Sequence, residues 1–369
     1  MEKTVVVAHP SPDLYGSDRM LLESVRAVSP TRRVLVTLPS DGPLRAVLAD
    51  AGAEVVIMPT PVLRKAFLSP IGMIRLALAA LRGLRPAMRL LRDSKAEAVY
   101  VSTVTIPLWL VAAKLARVPA LCHVHEAEEA PRPIRFALAL PLRLAALTLV
   151  NSRASAEVLG LPRAQVVYNG VAGPPEPTPA RRVLEGTVRL VLVGRWSPRK
   201  GTDVAVAAAR LLRERGHDVR LTLVGDVFAG YEWYERELRE QAGPETEFAG
   251  FRADVWDALA DADIALVPSR AEPFGNVAVE AMLAGRPVVA AATQGLTEII
   301  DNGVTGVLVR PDDPAALADG VESLFMDWER ALTLAADARS DAALRFTRAR
   351  YGEEIKAAVD HLTARTTHR

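Results

Sequence analysis

Short apolar runs alternate with longer stretches of helical spacing along the whole chain. Each run is rich in valine, isoleucine or leucine and alternates little with polar residues, which is typical of strands buried on both faces of a parallel sheet. Helical stretches of about ten or more residues separate the runs, as right-handed crossovers between parallel strands require. The runs predict strands at residues 4–8, 33–37, 54–58, 98–102, 120–124, 147–150, 166–168, 189–193, 220–224, 247–249, 264–268, 287–291 and 305–309.

A segment rich in proline and glycine, residues 170–179, interrupts this alternation near the middle of the chain. The pattern restarts after it, and the last part of the chain is mostly helical. We therefore predict an α/β protein with two doubly wound, Rossmann-like domains that face each other across a cleft, and a helical C-terminus. The predicted boundaries are an N-terminal domain at 1–168, a linker at 169–186, a C-terminal domain at 187–345, and a helix at 346–369 that packs back on the N-terminal domain.

The composition is that of a globular protein, since 50% of the 369 residues are hydrophobic and 24% are charged. Cys122 is the only cysteine, which excludes a disulfide framework and favours a reducing compartment. The N-terminus does not resemble a signal peptide, because its apolar run is short and its charge pattern is wrong. The longest uncharged stretch, residues 98–113, is shorter than the ~20 residues that a spanning helix needs. These features predict a cytoplasmic chain.

Charge is unevenly distributed, although the net charge of the chain is only +1. Residues 1–150 contain 19 lysines and arginines against 12 acids, and the rest of the chain is acidic. A basic half suggests an anionic partner. We do not favour nucleic acid, because neither zinc-finger spacing nor an aromatic-rich nucleic-acid signature accompanies the charge.

The basic charge is concentrated in residues 62–95, where arginines are interleaved with leucine, isoleucine and methionine. Between residues 55 and 92 there are seven cations and no acid. A helix of this kind can lie on an anionic membrane surface. The alternative is a basic surface helix whose apolar side is buried in the protein.

The most informative segment joins the predicted strand 264–268 to a helix and contains Glu272, Gly275, Asn276 and Glu280. Gly275 and Asn276 lie where the helix begins, so backbone N–H groups and the helix dipole favour an anion or a polarised hydroxyl there. The two glutamates are suited to accept hydrogen bonds from a sugar and from a ribose diol. The alternative is an ordinary helix N-terminus with solvated glutamates.

A second candidate site is the turn after the predicted strand 189–193, which carries Arg195 and Lys200. A guanidinium can bind phosphate bidentately and an ammonium adds a point charge, so the turn is a plausible diphosphate clamp. Both charges would offset negative charge that develops on a leaving nucleotide. The alternative is a solvated basic loop.

Two further candidates lie in the N-terminal half. Gly16 lies in the loop after the first predicted strand and permits close approach to a ligand, with Ser17 or Asp18 as N-cap of the next helix. No G-x-G-x-x-G pattern occurs, which weakens a nicotinamide or flavin interpretation. His125 follows the predicted strand 120–124, at the end where ligands bind.

A metal site is not expected. His123 and His125 alone do not make one, because no further histidine or cysteine completes the set. Asp261-Ala262-Asp263 has the D-x-D spacing that some metal-using transferases employ, but we interpret it as structural, since it joins a helix to a strand.

The motifs of the C-terminal half occur in an order that resembles glycosyltransferase family four, whose members have the GT-B fold. The resemblance covers nearly the whole chain. It rests on seven motifs in sequence: Asn169-Gly170-Val171, Gly194-Arg195 with Lys200-Gly201, Val224-Gly225-Asp226, Phe248-Ala249-Gly250-Phe251, Pro268-Ser269, Glu272 with Glu280-Ala281, and Gly295 to Ile300 with Gly303 and Gly306.

The resemblance implies roles for the residues that match. Arg195 and Lys200 would contact the donor diphosphate, Glu272 the donor sugar near its anomeric carbon, and Glu280 the ribose. His125 would line the reaction centre. His125, Glu272, Arg195 and Lys200 are thus the catalytic candidates.

The resemblance implies further donor contacts. The backbone around Phe274, Gly275 and Asn276 would hold the sugar, and Phe251 and Arg252 would meet the edge of the base. Gly16 would approach the phosphates. In the family this last loop often reads Gly-Gly, a small residue and Glu, whereas here it reads Tyr-Gly-Ser-Asp at residues 15–18.

The function implied is a retaining transfer of a hexose from a nucleotide sugar with UDP, GDP or dTDP. The acceptor would be a glycan or a lipid-linked molecule in cell-surface polysaccharide or glycoconjugate synthesis, and no metal cofactor is expected. The alternatives are a nucleotide-sugar epimerase or disaccharide phosphorylase of the same architecture, and a non-catalytic sugar-binding partner.

Overall fold

The computed structural model describes residues 3–14, 16–63, 70–126, 132–252 and 254–364. The chain divides into two compact units. The first unit comprises residues 1–170 and 348–369, and the second comprises residues 171–347. The first unit thus contains both termini of the chain.

The described residues form thirteen β-strands, and each lies at or near one of the thirteen predicted apolar runs. They are β1 (Thr4–Ala8), β2 (Arg33–Leu38), β3 (Ala53–Ile57), β4 (Ala96–Val101), β5 (Ala120–Val124), β6 (Leu147–Val150), β7 (Gln165–Val166), β8 (Val188–Val193), β9 (Val219–Val224), β10 (Thr246–Gly250), β11 (Ile264–Val267), β12 (Val288–Ala291) and β13 (Val307–Val309).

Helices connect these strands. They are α1 (Gly16–Val28), α2 (Pro43–Asp50), α3 (Pro70–Asp93), α4 (Leu108–Ala116), α5 (Arg132–Ala139), α6 (Arg153–Leu159), α7 (Thr202–Glu214), α8 (Glu232–Gln241), α9 (Trp256–Asp261), α10 (Asn276–Leu283), α11 (Leu296–Ile299), α12 (Pro314–Met326), α13 (Trp328–Arg345) and α14 (Arg348–Ala364). Short 3-10 helices occur at Leu140–Leu144 and Pro198–Lys200.

The first unit is built on a parallel sheet with the strand order β3-β2-β1-β4-β5-β6-β7. Successive side chains of a strand point to opposite faces of the sheet. Val5 and Val7 accordingly pack with α1, α2 and α14 on one face. Val6 and Ala8 pack with α3, α4 and Leu142 on the other. Two different helical layers therefore cover one sheet.

The last helix, α14, belongs to the first unit and packs against α1. Tyr351 is fully buried there, and its hydroxyl bonds to Ser24 Oγ at 2.7 Å. The sequence predicts that a helix at 346–369 packs on the N-terminal domain, and in the structure the chain enters the first unit again at Arg348.

The second unit contains a six-stranded parallel sheet with the order β10-β9-β8-β11-β12-β13. From β8 the chain proceeds outward to β9 and β10, and then returns to the other side of β8 with β11. The carboxyl ends of β8 and β11 therefore form the topological switch point, where ligands of such sheets bind. Two doubly wound parallel sheets and a helical C-terminus confirm the predicted fold class.

Some predicted boundaries were wrong. The last strand was predicted from residue 305 but begins at Val307, because Thr305 lies in a turn in which its hydroxyl accepts a bond from Asp301 N–H at 2.8 Å. Helix α1 begins at Gly16, so Asp18 lies in its first turn and is not its N-cap. Within the predicted basic segment 62–95, α3 begins at Pro70, and residues 64–69 lie outside the described residues.

Candidate functional site

Lys200 and Glu272 meet at the switch point of the second unit. Lys200 ends the 3-10 helix that follows β8, and Glu272 lies in the loop between β11 and α10. The ammonium donates a hydrogen bond to Glu272 Oε2, and Ser269 Oγ donates another to the same oxygen at 3.2 Å. The structure thus brings together two of the predicted site residues that are 72 positions apart.

Glu272 remains ionised in this position. Burial by itself would raise the pKa of the carboxyl, but the positive charges of Lys200 and Arg199 outweigh it and hold the pKa below its ordinary value. Only 9% of the Glu272 side chain is exposed, compared with 18% for Lys200. The pair therefore places one charge of each sign in a largely desolvated position.

The start of α10 is held tightly by two glycines. Gly275, its N-cap, has a φ of 120°, and a Cβ there would lie 2.7 Å from Leu296 Cδ2. A Cβ on Gly295 would lie 2.5 Å from the carbonyl oxygen of Pro273. Gly295 N–H also donates to the Glu272 carbonyl at 3.0 Å. Because these two residues have no side chains, the loop that carries Glu272 can pack closely against the start of α11.

Arg270 is a member of this site that sequence reasoning missed. Its guanidinium binds both carboxylate oxygens of Asp203, at 2.8 and 2.6 Å, and also reaches Asp312 at 2.8 Å. Its backbone N–H donates to the Arg199 carbonyl at 2.9 Å. Arg270 therefore ties the loop after β8 to the loop after β11. No local motif marks it, because its main partner lies 67 residues away.

Arg195 and the two residues predicted near the base follow strands β8 and β10 of the second unit. The Arg195 guanidinium lies 3.1 Å from the centre of the Phe228 ring, which is half exposed. Phe251 and Arg252, which follow β10, are both exposed. A planar cation and exposed rings can stack on or bond to flat ligands.

Three further predicted donor contacts belong to α10 and its entry. Asn276 is the first helical residue and is partly buried, and Glu280 lies buried one turn further on. The ring of Phe274 is in the core, 5.5 Å from the ring of Phe346 in edge-on contact. The Phe274 side chain is therefore occupied in the core.

His125 of the first unit follows β5 and has a neutral imidazole. Burial and the nearby His9 lower its pKa to about 4, against a smaller opposing effect of Asp18. His125 Nδ1 is buried and has no hydrogen-bond partner among the described residues. Its ring lies 4.1 Å from the ring of His123.

His9 and Asp18 form a buried pair that the sequence did not predict. His9 Nε2 lies 2.8 Å from Asp18 Oδ1, and His9 Nδ1 lies 2.6 Å from Ser102 Oγ. Asp18, considered above as an N-cap, thus serves a tertiary contact. Gly16 begins the same helix. The signal that could have found the pair is a histidine directly after β1, at the ligand-binding end of the strand.

A second buried chain fixes His123. Its Nδ1 lies 2.7 Å from the Tyr100 hydroxyl, which contacts Ser24 Oγ at 3.1 Å. Burial raises the pKa of Tyr100, so the hydroxyl stays protonated. His123 is therefore anchored in the core through Nδ1, and among the described residues its Nε2, like Nδ1 of His125, has no hydrogen-bond partner.

The described ranges contain no group of three or more side chains suited to hold a metal ion. Asp263 of the D-x-D sequence instead accepts hydrogen bonds from Arg181 at 2.7 Å and from Arg189 at 3.1 Å. In the same ranges no helix is long and apolar enough to cross a bilayer.

Comparison with known proteins identifies the second unit. Residues 187–327 match the family model described as Glycosyl transferases group 1. The matched segment lies wholly within the second unit. The group 1 segment contains the switch point, the Lys200–Glu272 pair and the start of α10.

Curated relatives match the same half of the chain. Glycogen synthase of Mycobacterium tuberculosis (strain H37Rv) is 36% identical over 170 residues, which are 46% of this chain and 41% of the relative. D-inositol 3-phosphate glycosyltransferase of Xylanimonas cellulosilytica is 39% identical over 188 residues, or 49% and 43% of the two chains. The matched part thus spans less than half the length of these relatives.

Solved structures extend the likeness to nearly the whole chain. HepE of Anabaena, in complex with UDP and glucose, is 24% identical with a TM-score of 0.81, and covers 98% of this chain and 100% of its own. The same protein in complex with UDP is 25% identical with a TM-score of 0.79, over 97% of this chain and 100% of its own. The chain therefore has the GT-B fold of glycosyltransferases.

Proposed function

We propose that the protein is a retaining glycosyltransferase that moves a hexose from a nucleotide sugar to a glycan or lipid-linked acceptor, in cell-surface polysaccharide or glycoconjugate synthesis. The observation that carries the proposal is the buried, ionised Lys200–Glu272 pair at the switch point of a group 1 unit. A sugar diphosphate has an anionic part and a part rich in hydroxyls. The pair offers a cation to the first and an anion to the second.

Donor binding would use the groups around this pair. The Lys200 ammonium contacts the diphosphate, with Arg195 as a second cation, and Glu272 accepts hydrogen bonds from the sugar. The helix N-terminus at Gly275 and Asn276 and the backbone of Phe274 hold the sugar. Glu280 accepts hydrogen bonds from the ribose hydroxyls, and Phe251 and Arg252 contact the edge of the base.

Transfer would proceed without a metal. Breaking the bond between sugar and diphosphate leaves negative charge on the nucleotide, and Lys200 and Arg195 stabilise it as it develops. Glu272 is already ionised and steadies the positive charge that develops on the sugar ring. The acceptor hydroxyl oxygen would attack the anomeric carbon on the face from which the nucleotide departs and pass its proton to the departing phosphate, so that the anomeric configuration is retained.

His125 would act as a neutral hydrogen-bonding group. With a pKa of about 4, the imidazole carries no charge at neutral pH. It can bond to a sugar hydroxyl without repelling the positive charge on the ring, whereas an imidazolium would oppose it. Gly16, at the start of α1, would allow a phosphate to approach the backbone.

The nucleotide is tested by thermal shift with UDP, GDP, dTDP and ADP. Since the HepE structures contain UDP and UDP-glucose, we expect UDP to give the largest shift. Ligand at 100 times its dissociation constant adds about 2.7 kcal/mol to the stability of the folded state. A chain that none of the four nucleotides stabilises would not be a nucleotide-sugar transferase.

Activity is tested with radiolabelled UDP-sugars and the K200A and E272A variants. We expect both variants to lose at least about 100-fold in turnover, as the loss of a charge-stabilising group does in other enzymes. The matched controls are Lys356→Ala and Glu240→Ala, which change exposed residues elsewhere. Wild-type turnover in both site variants would overturn the assignment. Free altered donor, or a requirement for phosphate in place of nucleotide, would indicate the epimerase or the phosphorylase.

A further inference from the structure

The two helical layers that cover the sheet of the first unit differ in charge. The layer made of α3, α4, α5, α6 and the 3-10 helix Leu140–Leu144 contains ten lysines and arginines and two acids, Asp93 and Glu157. The opposite layer, made of α1, α2 and α14, contains six cations and six acids. The helices that cover one face of this sheet therefore carry a large excess of positive charge, whereas those on the other face carry none.

The basic layer also exposes large apolar side chains. Ile71, Ile74, Leu78 and Leu81 are spaced three or four residues apart, so they lie on one side of α3. Each is exposed, from 47% for Leu78 to 68% for Leu81. The sequence allowed the alternative that this side of the helix is buried, and the structure shows the opposite for the N-terminal half of α3.

The arginines continue the same side of the helix toward its C-terminus. Arg85, Arg89 and Arg92 follow the apolar row at helical spacing, and all three are exposed. The side of α3 that faces the sheet is different in composition: Ala87 and Leu91 are buried in the core. Helix α3 therefore presents an outward surface that is apolar in its first half and cationic in its second.

The same layer carries further apolar groups beyond α3. Phe136 of α5, together with Leu140 and Leu144, is exposed, with the Arg143 guanidinium 5.7 Å from the Phe136 ring. Helix α4 contacts both α3 and the 3-10 helix, and it exposes Leu115. Exposed apolar groups thus occur on α3, α4, α5 and the 3-10 helix, where cations far outnumber acids.

We propose that this layer is a docking surface for an anionic lipid bilayer, on which Ile71, Ile74, Leu78 and Leu81 enter the interfacial region while the arginines contact lipid phosphates. Charge alone would suit any polyanion. The row of exposed apolar residues selects the bilayer, because a soluble polyanion gives such residues nothing apolar to enter. Arginine can extend to the head groups while its stem stays in apolar surroundings.

The test is flotation of the full chain with vesicles of phosphatidylglycerol and phosphatidylcholine, and with vesicles of phosphatidylcholine alone. We expect binding to the anionic vesicles in about 10 mM salt and loss of most of it in about 1 M salt, where charges are screened within a few ångströms. Binding is measured without donor or acceptor, so the result is independent of the proposed transferase activity.

Two variants separate the contributions. R85Q/R89Q/R92Q removes the three exposed arginines that follow the apolar row, and we expect binding to fall on the order of 100-fold, at about fivefold for each charge. I74Q/L78Q/L81Q leaves the charge unchanged, and glutamine is a good helix former, so the helix is preserved. Because three apolar side chains are lost, we expect vesicle binding to fall at least roughly tenfold.

Matched controls carry the same chemical changes on other surfaces. The control for the arginine variant changes three exposed cations of the opposite layer to Gln: Arg26, Arg45 and Lys356. The control for the apolar variant changes three exposed apolar residues of the second unit to Gln: Val183, Met326 and Leu344. Circular dichroism and unfolding midpoints establish that each variant is folded. We expect both control triples to bind as the wild type does.

Three results would overturn the proposal. One is the absence of binding to anionic vesicles at low salt. Another is equal loss of binding in the matched controls, which would mean that the surface is not the one named. The third is that the protein binds soluble heparin as tightly as it binds vesicles, and that I74Q/L78Q/L81Q does not weaken heparin binding. This result would indicate a site for soluble polyanions instead.

Discussion

The guanidinium of Arg270 binds both carboxylate oxygens of Asp203, and this bidentate pair joins the two loops that present Lys200 and Glu272. Asp203 also accepts a hydrogen bond from the Tyr234 hydroxyl at 2.7 Å. Both side chains of the pair are about 30% exposed, so solvent weakens their attraction only in part. The segments that carry Lys200 and Glu272 are thus joined by an ion pair of two other residues.

Replacement of Arg270 by Met should therefore destabilise the protein and weaken donor binding. We expect a loss of about 1–3 kcal/mol in the free energy of unfolding, because Asp203 loses its partner in a half-buried position. Urea denaturation measures this loss, and UDP titration measures the binding. Arg310→Met is the control, since its pair with Asp313 is at the surface, and we expect little change. Equal effects of both substitutions would contradict a special role for Arg270.

Removal of the Lys200 charge should raise the pKa of Glu272. The pKa of the carboxyl is below its ordinary value because Lys200 and Arg199 outweigh the effect of burial. In Lys200→Met the burial remains and the larger opposing charge is gone, so the pKa rises. Carbon-13 NMR of the side-chain carboxyl measures it, with Lys356→Met as the control. An unchanged pKa would mean that Lys200 does not hold the charge of Glu272.

The same pair makes stability depend on pH in acid. A carboxyl whose pKa is lower in the folded state stabilises the fold above the unfolded pKa of about 4.3, and the stabilisation is lost as pH falls through the folded pKa. Wild-type unfolding free energy should therefore fall at acid pH more steeply than that of the E272Q variant. Parallel curves for the two proteins would contradict this linkage.

Replacement of Gly275 by Ala should lower the free energy of unfolding more than the same replacement at a glycine that also has a positive φ but has open space around its Cα. A Cβ at Gly275 meets Leu296 Cδ2 at 2.7 Å, whereas a Cβ at Gly216, with a φ of 91°, meets nothing within 4 Å. Gly216→Ala therefore isolates the backbone strain, about 1–2 kcal/mol. We expect Gly275→Ala to cost about 1–3 kcal/mol more because of overpacking, and to weaken UDP binding. Unfolding by urea and calorimetric titration measure the two effects.

His125 should destabilise the folded state as the pH falls below neutrality. Its pKa of about 4 is lower than that of an unfolded histidine, about 6.5, so the unfolded chain binds the proton more tightly. The stabilisation is complete above the unfolded value and is lost progressively as pH falls toward 4, with about 2 kcal/mol lost by pH 5. The free energy of unfolding is measured as a function of pH for the wild type and for His125→Asn, and the two curves are compared. A histidine NMR titration with an ordinary midpoint for His125 would contradict the prediction.

Local pattern was sufficient for the elements of the fold. The buried strands of a parallel sheet appear as uninterrupted apolar runs, so β1 and β8 could be located from their own residues. The order of motifs was sufficient to place Lys200 and Glu272 in one site, because the family resemblance carries that information. The ends of the elements were less well determined. Thr305 has a β-branched side chain suited to a strand, but its hydroxyl accepts a hydrogen bond from Asp301 N–H within a turn.

The sequence by itself determined the fold class and the approximate positions of the strands, since these depend on the alternation of apolar runs and helical stretches along the chain. It also supplied the candidate donor residues, through the order of the motifs that resemble the family. Only the tertiary structure decided that Arg270 binds Asp203, that His9 binds Asp18, and that the apolar row on α3 faces outward. The pairings join residues on different elements, and the outward direction depends on what packs against the helix. Periodicity shows that a helix has two sides, but it does not show which one the sheet covers.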